Sequence, residues 1–164
     1  FQDIWYKLLL SIKIKAKTLV LRDFHADNLI WLPNRPGIRK CGLLDYQDAV
    51  SGFHAYDLMS LLEDARRDLR PGLDSELLDY YYEALPDFDR NEFDKVYGVL
   101  SAQRHCKVIG IFSRLAIRDG KTGYLSHIPR CWGLLERACC SPELQILKEW
   151  LDVYIPMQNR TSQI

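Results

Sequence analysis

The chain has 164 residues, 48% of them hydrophobic and 12% aromatic, which is enough to build a packed core and too apolar for a disordered chain. Lys+Arg and Asp+Glu are both 22, so the formal net charge is zero, and no general attraction to nucleic acid or to an acidic membrane surface is expected. No apolar run reaches the roughly 18–20 residues needed to span a bilayer, and the short run Leu8-Leu9-Leu10 lacks a following cleavage site, so the expected location is the cytoplasm.

Five cysteines, an odd number with no Cys-x-x-Cys spacing, argue against both a disulfide framework and a zinc site. They are expected to be reduced and mostly part of the core. The adjacent Cys139 and Cys140 form a possible redox-sensitive pair.

Taken in chain order, residues 1–17 predict a helix with Ile4, Leu8 and Ile12 on one face. Residues 18–21 predict a short buried strand running into Arg22 and Asp23. Residues 28–32 and 40–45 predict two further strands around the turn composition Pro33-Asn34-Arg35-Pro36-Gly37. These two strands form a hairpin that presents Asn28 and Asp45 near one end.

From Tyr56 the period becomes helical. Leu58, Leu61, Leu62, Ala65 and Leu69 predict one apolar face, with Glu63 and Asp64 off it and a stop at Pro71-Gly72. Asp74 is the expected N-cap of a helix to about residue 85, and Asp89 or Asn91 that of a long helix ending near Asp119-Gly120. Two more helices are expected at 122–140 and 142–154, then a frayed tail at 157–164. The fold class is therefore α+β, mostly α: a small hairpin platform followed by a helical bundle, with no composition shift to divide residues 1–164.

The chemistry-bearing stretch is Leu21-Arg22-Asp23-Phe24-His25-Ala26-Asp27-Asn28, followed by Leu43-Leu44-Asp45-Tyr46-Gln47-Asp48. An Asp and an Asn five residues apart, then an Asp closing a later strand, fit a phosphoryl-transfer loop with its metal-binding Asp. In that reaction the protein contributes positioning and charge neutralisation more than covalent chemistry. One carboxylate must take or orient the acceptor's proton, which suits Asp23. A second carboxylate and an amide oxygen must hold Mg²⁺, a hard ion that takes oxygen ligands, which suits Asp45 and Asn28.

These motifs, with Tyr56-Asp57-Leu58 downstream, resemble the aminoglycoside phosphotransferase/choline kinase group over about residues 19–156. Within it, the likeness is greatest to bacterial anomeric kinases that phosphorylate N-acetylmuramate and N-acetylglucosamine in cell-wall recycling. The resemblance implies a kinase-like C-terminal lobe, ATP as phosphoryl donor, Mg²⁺, a small-molecule acceptor, Asp23 as base, Asn28 and Asp45 as metal ligands, and Asp57 as a brace for the loop.

His25 occupies the place where protein kinases put a lysine facing the phosphate; loop packing is its competing role. Asp48 can touch substrate or stabilise its turn. Arg104, Arg114 and Arg118 share one long helix and could read an anionic or hydroxyl-rich substrate, or form a solvated face. The loop's usual first His is Leu21 here. Only 22 residues precede Asp23, with no Gly-rich loop and no strand Lys, so a nucleotide-gripping lobe is expected from other sequence, and this stretch by itself is expected to be inactive. Alternatives are a degenerate lobe acting as a binding module, and a kinase for an aminoglycoside or another small alcohol.

Overall fold

The computed structural model describes residues 1–12, 17–85 and 89–160. It opens with helix α1 (Gln2–Ser11), shorter than the predicted 1–17; residues 13–16 lie outside the described set. Leu8 and Ile12 bury the expected face and Ile4 packs beside them.

Four three-residue strands follow. β2 (Leu29–Trp31) and β3 (Cys41–Leu43) make the predicted antiparallel hairpin, with Leu29 opposite Leu43 and Trp31 opposite Cys41. The predicted first strand is present as β1 (Thr18–Val20). Its partner is β4 (Val50–Gly52), a strand not among those predicted. Strand pairing between segments about thirty residues apart gives no local signal, and three residues are too few to show a period.

The remainder is helical, so the fold is α+β and mostly α. α2 (Ala55–Leu62) ends at Glu63, well before Pro71-Gly72. The predicted longer helix assumed that Glu63 and Asp64 faced water. Both are buried instead, at 9% and 4% exposure. Glu63 accepts hydrogen bonds from Ser101 Oγ (2.5 Å) and from the His105 ring, whose Nε2 lies 2.7 Å away. The Asp64 carboxylate accepts from the Arg66 amide (2.9 Å), turning the chain out of the helix. Arg130 fixes the exit by donating to the carbonyls of Asp64 (2.8 Å) and Arg67 (2.5 Å) and to the Asp68 carboxylate. Inward-facing polar groups ended α2, and hydrophobic spacing alone could not show that.

α3 (Leu73–Ala84) starts at Gly72, not Asp74. Gly72 takes the left-handed conformation (φ 82°) that only glycine adopts at low cost, and Asp74 lies in the first turn. α4 (Arg90–Asp119) begins and ends as predicted. The Asp89 carboxylate caps it by accepting from the amides of Asn91 (2.9 Å) and Glu92 (3.2 Å), and left-handed Gly120 (φ 67°) ends it.

The predicted 122–140 helix divides into a 3-10 turn and α5 (Ile128–Ala138), with Pro129 at the start of the helix proper. α6 (Gln145–Tyr154) follows a second 3-10 turn. The core lies where α4 meets α2 and α5, and includes Phe93, Val99, Ala102, Leu135, Leu144 and Leu147. Trp132 is buried, and Trp150 stacks on Tyr154 with ring centroids 4.7 Å apart.

The tail differs from expectation. Residues 157–159 form a 3-10 turn, and Arg160 is buried. Its guanidinium donates to Glu136 (2.9 Å), Asp152 (2.7 Å) and the Ile155 carbonyl (2.8 Å), above the Trp132 ring. A single arginine, invisible to a composition argument, docks the end of the chain onto α5 and α6; residues 161–164 lie outside the described set. Cys131 and Cys139 are buried and Cys106 half-buried, while Cys41 and Cys140 are exposed, and all five are free thiols. Among the described residues no helix is long and apolar enough to cross a membrane.

Candidate active site

The site begins where β1 leaves its sheet. Arg22 turns the backbone into the left-handed region (φ 73°), an uncommon conformation for a residue with a side chain. Hydrogen bonds to its backbone hold the strained turn in place. The Asp57 carboxylate of α2 accepts from the Leu21 amide (2.7 Å) and the Arg22 amide (3.0 Å). The Arg22 carbonyl accepts from Ser60 Oγ (3.5 Å) and Arg104 Nη1 (3.3 Å). Asp57 thus sits at the position from which a brace was expected and contacts the loop through both carboxylate oxygens. Ser60 and Arg104 complete the clamp, and the sequence reading gave neither this role: a carbonyl 38 or 82 residues away leaves no local pattern.

The clamp delivers Asp23 to the surface. Its side chain is exposed, and its carboxylate has no hydrogen bond or ion pair among the described residues. The chain then makes a 3-10 turn over Ala26–Asn28, closed by the Asn28 amide donating to the His25 carbonyl (2.9 Å). Asn28 Nδ2 reaches back to donate to the Asp23 carbonyl (2.8 Å). Committing the NH₂ end of the amide inward leaves Oδ1 as the outward acceptor.

His25 Nε2 lies 3.3 Å from the same Asn28 Nδ2. That nitrogen is a donor, so Nε2 can accept from it, while Nδ1 is buried with no hydrogen-bond partner among the described residues. His25 therefore packs within the loop and orients Asn28. Asp27 pairs with Arg67, from the segment after α2, which ties the loop to the bundle at a second point.

The hairpin brings Asp45 to the same place. Its register puts Leu44 beside Asn28, and the Leu44 amide donates to the Asn28 carbonyl (2.9 Å). Asp45 is next in the chain, also in the left-handed conformation (φ 55°), and accepts from Gln47 Nε2 (2.6 Å) through one oxygen. Arg22 and Asp45 are the two non-glycine residues with positive φ among those described, and both lie at this end of the hairpin. Strain collected in one spot marks a functional site more strongly than either residue alone.

Asp48 sits exposed on the following turn, with no bond to the loop among the described residues. The structure thus gathers Asp23, His25, Asn28, Asp45 and Asp57 into one constellation and leaves Asp48 at its margin.

The available donors at the mouth are oxygens: Asn28 Oδ1 and the Asp45 carboxylate. Among the described residues no three His, Cys, Asp or Glu side chains converge as a metal site. Two protein oxygens are instead the complement usual for Mg²⁺, which keeps waters and phosphate oxygens as its other ligands.

The model of the phosphotransferase enzyme family matches residues 2–93, which include the loop, the hairpin and α2. A protein of Caulobacter vibrioides named N-acetylmuramate/N-acetylglucosamine kinase is 42% identical over 160 residues, 98% of this chain and 44% of its own length. Proteins of the same name from Neisseria meningitidis and Pseudomonas aeruginosa are 39% and 36% identical, over 79% and 84% of this chain and 39% and 41% of theirs. The chain thus spans less than half the length of the curated relatives it matches.

Proposed function

The chain belongs to the phosphotransferase enzyme family, and from that premise we propose that its natural full-length polypeptide transfers a phosphoryl group from ATP to a hydroxyl of an amino sugar. The observation that carries the reading is the clamped loop: an unpaired Asp23 carboxylate beside an Asn28 amide turned oxygen-outward, with Asp45 joined to it through the hairpin register. In this reading Asp23 accepts or orients the proton of the attacking hydroxyl. Its exposure and the lack of a competing cation among the described residues leave it free to do so. Asn28 Oδ1 and Asp45 would hold Mg²⁺, which supplies neutralisation of the phosphate charge. Asp57, Ser60 and Arg104 hold the loop so that this geometry exists before substrate arrives.

N-acetylmuramate and N-acetylglucosamine are the proposed acceptors, supported by the names of the relatives. The test is ADP release by the natural full-length polypeptide with ATP and Mg²⁺. Turnover is expected with both amino sugars and to be lost on chelation of the metal. Turnover with an aminoglycoside or a simple alcohol alone would move the acceptor class. No turnover with any of them would favour a binding module over an enzyme.

A further inference from the structure

The three arginines that the sequence places on one helix are separated by the structure. Arg118 pairs with its neighbour Asp119 (Nε to Oδ1 2.6 Å) at the far end of α4. Arg114 is exposed, ten residues from Arg104, roughly 15 Å along the helix. Arg104 alone reaches the catalytic loop. Its Nη1 donates to the Arg22 carbonyl (3.3 Å), the peptide unit directly before Asp23, and its guanidinium carbon lies 5.9 Å from the centroid of the Tyr56 ring.

Arg104 is half-buried and makes no ion pair among the described residues. Three other arginines of the bundle differ in this respect. Arg67 has Asp27, Arg130 has Asp68, and Arg66 lies 4.0 Å from Asp64. A guanidinium carries five N–H donors in a rigid fork suited to a carboxylate, and one carbonyl and an aromatic face leave most of that fork unused. A partly desolvated cation without a counter-ion, one peptide from the proposed base, is a place for an anion that arrives with the substrate.

Resting on the function proposed above, we infer that Arg104 receives a carboxylate of the acceptor and so favours an acidic amino sugar over a neutral one. N-acetylmuramate differs from N-acetylglucosamine by a lactyl ether that bears a carboxylate, so the two sugars form a matched pair for this group. Arg104 is then both a clamp on the Arg22 carbonyl and a specificity-determining residue.

The test is the ratio of kcat/KM for N-acetylmuramate to that for N-acetylglucosamine in the natural full-length polypeptide, compared among wild type, Arg104→Gln and Arg104→Lys. A charge-assisted hydrogen bond corresponds to about 10- to 100-fold in affinity. Arg104→Gln is expected to lower the ratio by about that factor, mainly through KM for N-acetylmuramate, and Arg104→Lys to restore part of it. Equal loss on both sugars, or a rise in KM for ATP in place of the acidic sugar, would make Arg104 a loop clamp or a phosphate contact and overturn the inference. A wild type that uses N-acetylglucosamine but not N-acetylmuramate would also overturn it. Wild type that turns over neither sugar would remove the functional reading itself, and this inference with it.

Discussion

The hairpin end and the helical bundle are stabilised in opposite ways. Between residues 21 and 52 almost every side chain is at least partly exposed, including Trp31 at 68% and Ile38 at 93%. Backbone strain is concentrated there, at Arg22 and Asp45. The bundle buries Met59, Val99, Ala102, Leu135, Leu144 and Leu147 completely, and its long helix is capped at both ends. Apolar burial therefore holds the bundle, while a few polar bonds to Asp57, Ser60 and Arg104 hold the loop. The lesson is a division of labour. The groups proposed for chemistry stand on a thin, polar-clamped element, and the thick core keeps the clamp's own residues in place.

That contrast can be broken most forcefully from the bundle side. Phe93, 1% exposed, meets Phe53, Tyr81, Tyr82 and Tyr97 in one aromatic cluster. Phe93→Ala is expected to cost about 3–5 kcal/mol in denaturant unfolding, with turnover per folded molecule little changed. A comparable loss of activity in the folded fraction would show that core and loop are not separable.

From the loop side the pattern should reverse. Asp57→Ala frees the amides of Leu21 and Arg22 and lets the strained turn relax. Turnover is expected to fall by about 10²-fold, the scale of an ångström-level misplacement. Hydrogen exchange at those two amides should rise while α4 and α5 keep their protection.

A subtler test uses the buried polar pair at the end of α2. Burial by itself would raise the Glu63 carboxyl, but the hydrogen bond and charge of His105, the Ser101 hydroxyl and the charge of Arg137 outweigh it, and the carboxyl lies below its ordinary value. A folded-state pKa below the unfolded one stabilises the fold above the unfolded value. That contribution is lost as pH falls from 4.5 through the depressed folded value. Thermal melts should show it as an acid-side loss of Tm. Glu63→Gln should lower stability at neutral pH by about 1–3 kcal/mol and flatten the acid-side slope. An unchanged slope would mean that other carboxylates carry it.

The same division explains what was legible in the sequence. Features set by local chemistry could be read directly: the Asp89 cap, the Gly120 stop, the hairpin around Pro33 to Gly37, and the Asp23, Asn28 and Asp45 spacing. Features set by contacts distant in sequence could not. The β1–β4 pairing, the early end of α2 at Glu63, the clamp from Ser60 and Arg104, and the docking of Arg160 each join residues whose partners no spacing rule names, except where Arg160 reaches back to nearby Ile155. Long polar side chains caused most of these departures, because their role depends on which carbonyl or carboxylate the folded chain brings to them.

In the proposed function, Asp23 is the group the whole clamp exists to present. The most direct measurement is phosphoryl transfer from ATP to N-acetylglucosamine by the natural full-length polypeptide, wild type against Asp23→Asn, with thermal melting run in parallel. Asn keeps the shape and removes the base, so transfer should fall by about 10²–10⁴-fold at unchanged Tm. Turnover equal to wild type in a folded Asp23→Asn protein would contradict the claim.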